Sequence, residues 1–210
     1  MQKKINMDLL LLCATVSYPF LMHLLVIVEQ YTIASIYIVI VILLMVLHNF
    51  LQGFKKLSLL LVLTFLCVCI LLFYQVNLVL YLPPVLIPLV VAVIFAKSLI
   101  GDNDAFITNI AKKIRDNDVS KKELKYTRIL TFIWAVFLTL IAIEAVIVAF
   151  VTDIKTWSYV TNFLNYIAIM VFAVIEYFIR RIILNHIEHP GFIGFIKQLV
   201  RVQKNKVQRF

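Results

Sequence analysis

The sequence predicts an all-α, polytopic membrane helix bundle of about six transmembrane helices, N-in/C-in, with cytoplasmic interfacial amphipathic helices. Three observations carry that prediction. Hydrophobic residues make up 63% of the 210-residue chain and its mean hydropathy is +1.02, too apolar for a soluble domain of this length. Apolar runs of roughly 20 residues, each long enough to cross a hydrocarbon core, recur at about 9–28, 32–52, 57–75, 80–99, 129–151 and 157–179. Six spans place every lysine and arginine except Lys155 on one side, the charge asymmetry of cytoplasmic loops. The same asymmetry assigns the net charge of +9 to the inner face, where anionic lipid headgroups are the expected partner. Nothing in the chain has the pattern of a nucleic-acid reading module.

The first span holds Pro19, which predicts a kink, and His23, a lone polar ring expected to bond a neighbouring helix. It is longer than a signal-peptide core and is expected to be retained. The second ends at His48 and Asn49, before Gly53 and the Lys55–Lys56 pair. The third is nearly all Leu, Val and Cys and is expected only to pack. Cys13, Cys67 and Cys69 all lie in spans and are expected as buried small hydrophobes. Pro83 and Pro84 fit the first turn of the fourth span, and Pro88 one turn later predicts a bend. Glycines 53, 101, 191 and 194 fall outside every span, so no GxxxG seam is available.

Residues 101–125 read as an amphipathic segment on the inner leaflet. Asp104 is a candidate N-cap, Phe106, Ile107, Ile110 and Ile114 share a face, and Lys112, Lys113 and Arg115 cluster beyond them. The fifth span opens with Ser120 and Glu123 at capping-box spacing. Ala135, Ala142 and Ala149, with Ala145 beside them, form a small-residue seam, while Glu144 lies on the opposite face. This span is therefore expected to be contacted on both sides. In the sixth, a regular helix with Thr161 at 0° puts Asn165 near about 40°, Glu176 near about 60°, and Asn162 and Arg180 near about 100°. Such a polar stripe must face protein or water. The chain thus divides into a six-span domain, 1–185, and a basic amphipathic tail, 186–210. The tail's stripe of Phe192, Phe195, Ile196 and Leu199 is expected to lie against lipid or a partner protein.

Chemistry concentrates at the inner ends of the last two spans. Tyr126, Arg128, Glu176, Arg180 and Arg181, with His186 and His189 just beyond, form a polar collar suited to a phosphate or carboxylate headgroup. Glu176 and Arg180, four apart, are placed to pair with each other. If the collar moves a proton, Glu176 and His189 are the catalytic candidates. Glu144, Asn162 and Asn165 are the intramembrane polar residues. His186 and His189 have HxxH spacing, but no further His or Cys supplies a third ligand, so neither metal nor cofactor is expected. There is no HExxH, Walker loop, GxSxG or CxxC.

Several stretches together resemble a family of uncharacterised bacterial inner-membrane proteins. They are LPPVLIPLVVAVIFAKSL at 82–99, FITNIAKKI at 106–114, YTRILTFIW at 126–134, N-x-x-x-Y at 162–166, EYFIRR at 176–181 and HP at 189–190. The resemblance covers about residues 80–196; Ala105 and Phe106 stand where the family pattern has Pro and Leu. Members of that family sit among genes for aryl-polyene and related fatty-acid-like biosynthesis. The resemblance implies company with polyene or acyl biosynthesis proteins, and no catalytic residue. Taken together, the first expectation is an accessory protein that binds, presents or helps export a lipid-like product at the cytoplasmic leaflet. A small embedded enzyme acting on an acyl or phospholipid headgroup is the alternative, and a proton-coupled transporter using Glu144 and Glu176 a further one. Oligomeric state is not legible in the sequence.

Overall fold

A computed structural model describes residues 7–51, 55–74, 76–101, 104–114 and 119–184. His186, His189, Pro190 and the amphipathic tail lie outside the described residues, as do Gly53 and Arg115. Every element among the described residues is helical. In order they are α1 (Met7–Ile27), α2 (Tyr31–Leu51), α3 (Lys55–Tyr74), α4 (Val76–Ser98), α5 (Phe106–Ile114), α6 (Lys121–Val151), α7 (Ile154–Tyr159), a π-helical segment (Val160–Leu164) and α8 (Asn165–Ile183). Three stretches, Tyr31–Leu51, Leu78–Ser98 and Lys121–Val151, are long and apolar enough to cross a membrane. Cys13–Ile27 and Leu61–Ile70 are shorter apolar stretches. Phe20, Leu24, Ile40, Leu63, Val90, Phe132, Leu140 and Phe178 are all exposed, an apolar surface that suits lipid and not water.

The described residues fall into two compact units, one from Met1–Ile87 and Ala142–Ile167, the other from Pro88–Ile141 and Ala168–Phe210. In the first, Met22 and Val26 of α1, Ala34 and Ile38 of α2, Val68 of α3 and Val79 and Leu80 of α4 form a buried core. Ala34 and Ser35 are fully buried, and such small residues let helix backbones approach where packing replaces water exclusion as the source of attraction. The Tyr37 hydroxyl adds a tie from α2 to α1, donating to the Ala14 carbonyl at 2.7 Å. Cys13 is exposed, against expectation, because it lies on the face of α1 away from this core; Cys69 is half-buried. Pro19 lies within α1, and α4 begins at Val76, so Pro83 and Pro84 are interior and not first-turn residues. The apolar run before them carries the helix back past the prolines, each of which removes one backbone hydrogen bond.

Helix α1 ends in a Schellman arrangement: Glu29 N–H donates to Val26 O at 3.1 Å and Gln30 N–H to Leu25 O at 2.9 Å. Glu29 has φ 59°, a left-handed conformation that usually selects glycine. Its carboxylate instead accepts from Lys155 Nζ at 2.7 Å. The break after α6 is capped by Asp153, whose Oδ1 accepts from the Lys155 and Thr156 amides at 2.9 and 3.0 Å. Asp153 Oδ2 accepts from the Thr156 hydroxyl at 2.7 Å. Trp157 is then driven inward. It is 1% exposed, packs against Tyr81 with the rings tilted at 57° and centroids 4.5 Å apart, and donates its indole N–H to the Ala145 carbonyl at 3.1 Å. Ala145 is fully buried, so the missing bulk of its side chain is what admits the indole to the α6 backbone.

In the second unit, α5 is docked on α4 and α6 by hydroxyl groups. Its first amides donate to Ser98 Oγ at 2.9 Å and to Thr131 Oγ1 at 3.3 Å. Buried Thr108 shares a hydrogen bond of 2.7 Å with Thr127, and Phe106 stacks on Phe95 at 4.8 Å. Asp104 does not cap the helix as expected. It lies one residue too far back and takes Lys112 Nζ at 2.6 Å. The Ser120 cap is formed, its Oγ accepting from the Glu123 amide at 3.2 Å. Helices α6 and α8 are joined by Trp134, Phe137 and Phe172, with Phe172 4.6 Å and 4.4 Å from the other two rings.

Candidate functional site

The polar residues expected on a single stripe of the last span are held by separate partners. Asn162 and Arg180 are several turns apart along the helix, so each meets different neighbours. A π-helical segment containing Thr161 and Asn162 also interrupts the constant 100° step between them and Asn165. Asn162, 3% exposed, donates from Nδ2 to Ser158 Oγ at 3.2 Å, and Ser158 shares a further bond of 3.2 Å with His23 Nδ1. His23 thus bonds a neighbouring helix, and its ring also rests 5.8 Å from Tyr159. Asn165 donates from Nδ2 to Glu144 Oε2 at 2.8 Å. Glu144 is contacted on its own side of α6, as expected, and Ala145 on the other. Among the described residues, Tyr18 Oη and Asn162 Oδ1 are buried without a hydrogen-bond partner.

The charged cluster lies in the second unit. Tyr126 of α6 donates its hydroxyl to Glu176 Oε1 of α8 at 3.1 Å. Arg180, one turn on, donates to that same oxygen from Nε at 2.7 Å and reaches it with Nη2 at 2.7 Å. The i,i+4 spacing sets Glu176 and Arg180 on one face, and Tyr126 projects from α6 to meet them. The Glu176 side chain is 13% exposed and that of Arg180 30%, so the pair is largely, but not wholly, withdrawn from solvent. Three donated contacts converge on one carboxylate oxygen. Among the described residues the other oxygen, Oε2, accepts none. Arg181, next along α8, is exposed.

Arg128 is not part of this cluster. Two residues beyond Tyr126, it projects about 200° around α6 and donates from Nη2 to the Leu99 carbonyl at 2.8 Å. There it satisfies a carbonyl just past the end of α4 and places positive charge at the helix's negative pole. Of the seven collar residues, then, Tyr126, Glu176 and Arg180 come together, Arg181 is exposed at the same end of α8 but turned about 140° from Glu176, Arg128 is turned elsewhere, and His186 and His189 lie outside the described residues. Among the described residues no three His, Cys, Asp or Glu side chains gather as a metal site. The sequence reading passed over Ser158, although its place four residues before Asn162 on a helix was a signal for the bond they make.

Comparison with known proteins adds no identification: no protein-family model, no curated protein and no solved structure matches this chain.

Proposed function

We propose that this is a six-span, N-in/C-in protein of the bacterial inner membrane that holds a phosphate- or carboxylate-bearing lipid headgroup at its cytoplasmic end. In that role it binds, presents or helps export a lipid-like product of the acyl or aryl-polyene class, beside the proteins that make it. The observation that carries the reading is the convergence of Tyr126 and Arg180 on Glu176 Oε1, with a second cation, Arg181, exposed at the same end of α8. A guanidinium held in place by a carboxylate presents its remaining N–H groups in a fixed direction, which lowers the ordering cost of binding an oxyanion. The concentration of basic residues in the segments assigned to that side adds long-range attraction for the same ligands. The family resemblance, with YTR at 126–128 and EYFIRR at 176–181, supports the lipid-like class of cargo.

The test is mass spectrometry of lipids retained by the detergent-purified protein, wild type against Arg180→Ala/Arg181→Ala at equal expression. A bound headgroup-bearing lipid present in the wild type and lost in the variant is the expected result. The same lipids in both would remove the cluster from the account.

A second reading is favoured by one observation, the Glu144–Asn165 pair within α6 and α8. An ionisable group at such depth is costly and marks proton or ion handling in many membrane proteins. It predicts proton-coupled transport that Glu144→Gln abolishes; transport indifferent to that substitution would dispose of it.

A further inference from the structure

Resting on the headgroup reading, we propose that the Tyr126–Glu176–Arg180 cluster selects a zwitterionic aminophospholipid, a phosphodiester linked to a primary ammonium, over a purely anionic lipid. The two oxygens of the Glu176 carboxylate are used unequally. Oε1 receives the Tyr126 hydroxyl at 3.1 Å and Arg180 Nε and Nη2 at 2.7 Å. Among the described residues Oε2 receives nothing, although a carboxylate oxygen has two lone pairs to fill. It belongs to a side chain 13% exposed and is not among the buried unpartnered atoms, so a ligand donor can reach it from solvent.

The same geometry consumes half of the Arg180 fork. Nε and Nη2 face Glu176, which leaves Nη1 for a ligand oxyanion, and exposed Arg181 at the same helix end adds attraction through its charge and not through contact. A phosphate bound there lies beside the negative charge of Glu176. An anionic headgroup bearing only hydroxyls does nothing to offset that charge. A headgroup with a primary ammonium does, because its three N–H donors meet the unfilled oxygen while its phosphate meets the guanidinium. A quaternary ammonium has the charge but no donor. The expected order is therefore primary amine, then quaternary amine or simple anion.

The full chain is delipidated and placed in mixed micelles containing equal amounts of phosphatidylethanolamine, phosphatidylglycerol and phosphatidylcholine. Bound lipids are then counted by native mass spectrometry. Wild type should carry phosphatidylethanolamine in roughly tenfold excess over each of the others, the size of one charge-assisted hydrogen bond. Glu176→Gln should bring it down to the level of phosphatidylglycerol. Arg181→Gln should weaken both in parallel and preserve their ratio, and Arg128→Ala should change neither.

Phosphatidylglycerol bound as well as phosphatidylethanolamine, or a preference that survives Glu176→Gln, would overturn the selectivity. If that binding still fell on Arg181→Gln, the headgroup reading would stand without it. No lipid bound above its bulk share would overturn both. Should Glu176→Gln fail to fold, wild type decides alone: phosphatidylcholine bound equally with phosphatidylethanolamine would contradict a site that requires a donor. Soluble glycerophosphoethanolamine separates the two sources of this chemistry. Displacement of the lipid makes the headgroup a sufficient ligand, retention makes the whole lipid the ligand, and either keeps the selection.

Discussion

The two units deal with polar side chains among apolar helices in opposite ways. In the unit built around α1 and α7, most polar groups are neutral and end on each other or on backbone: His23 with Ser158, Ser158 with Asn162, and the Trp157 indole on the Ala145 carbonyl. Among its described residues, the half-buried carboxylate of Glu144 accepts from a neutral amide, that of Asn165. In the unit that holds the N-terminal part of α6 and most of α8, charge is gathered onto one carboxylate, one of whose oxygens accepts no bond among the described residues. Neutral, closed chains are what packing requires of buried polar groups. A charged cluster with spare bonding capacity is what a ligand requires. The contrast is why the site is assigned to Glu176 and not to the more deeply buried Asn162.

The contrast can be broken most forcefully at Trp157. Trp157→Ala removes the largest fully buried side chain and should cost roughly 3–5 kcal/mol. Trp157→Phe keeps most of the volume, loses the indole bond, and should cost about 1 kcal/mol. Unfolding midpoints of the detergent-solubilised protein measure both, and equal losses would deny the indole bond any separate part. Next in size is Arg180→Ala, which strips Glu176 of its charged partner among the described residues and should destabilise by roughly 1–3 kcal/mol. The double variant Arg180→Ala/Glu176→Gln should recover part of that loss. Additive losses would mean the two side chains do not act as a pair.

Around α5 the closed-network behaviour should reappear within the second unit. Thr127→Val alone should cost about 1 kcal/mol by leaving the Thr108 hydroxyl without its partner, Thr108→Val less because Thr127 still donates to the Glu123 carbonyl at 2.9 Å, and the double substitution little more than Thr127→Val. A double variant that loses the sum of both would show that the threonines act independently.

The smallest effect is expected where the first unit does carry an ion pair, at its exposed edge. The Lys155 hydrogen bond holds Glu29 below the usual carboxylate range, and Glu29 in turn raises Lys155. The Thr156 amide and hydroxyl hold Asp153 low as well. Depressed carboxylates contribute stability that is present above their unfolded range and lost as pH falls through their folded values. A raised lysine contributes stability that is present below its unfolded value and lost as pH rises through its folded one. Wild type and Lys155→Gln should therefore differ slightly in thermal stability at neutral pH and converge in acid. A difference that persists below the carboxylate range would assign it to packing.

How much of this was legible in the sequence varies with the range of the interaction. Ser120 as a cap and Glu176 with Arg180 as a pair follow from spacing within one turn, and both are formed. So is the burial of Ala142 and Ala145 on one side of α6, with Glu144 engaged separately. What failed depended on partners distant in the chain. Asp104 could not be known to prefer Lys112 while Ser98 and Thr131 supply the α5 amides. Arg128 was grouped with Tyr126 by proximity in sequence, although two positions on a helix point to nearly opposite sides. The π-helical segment leaves no mark on a hydropathy pattern, so the polar stripe was drawn through Val160–Leu164 as if the helix were regular.

The central claim is that ligand engages the Glu176 cluster and not the closed chain around Asn162. Photo-crosslinking with a phospholipid carrying a reactive group next to its headgroup, followed by peptide mapping, tests this directly. The account predicts adducts on the peptides containing Tyr126 and residues 176–181, suppressed by Arg180→Ala/Arg181→Ala. Adducts spread evenly over the apolar helices, or concentrated near His23 and Ser158 and unaffected by that variant, would contradict it.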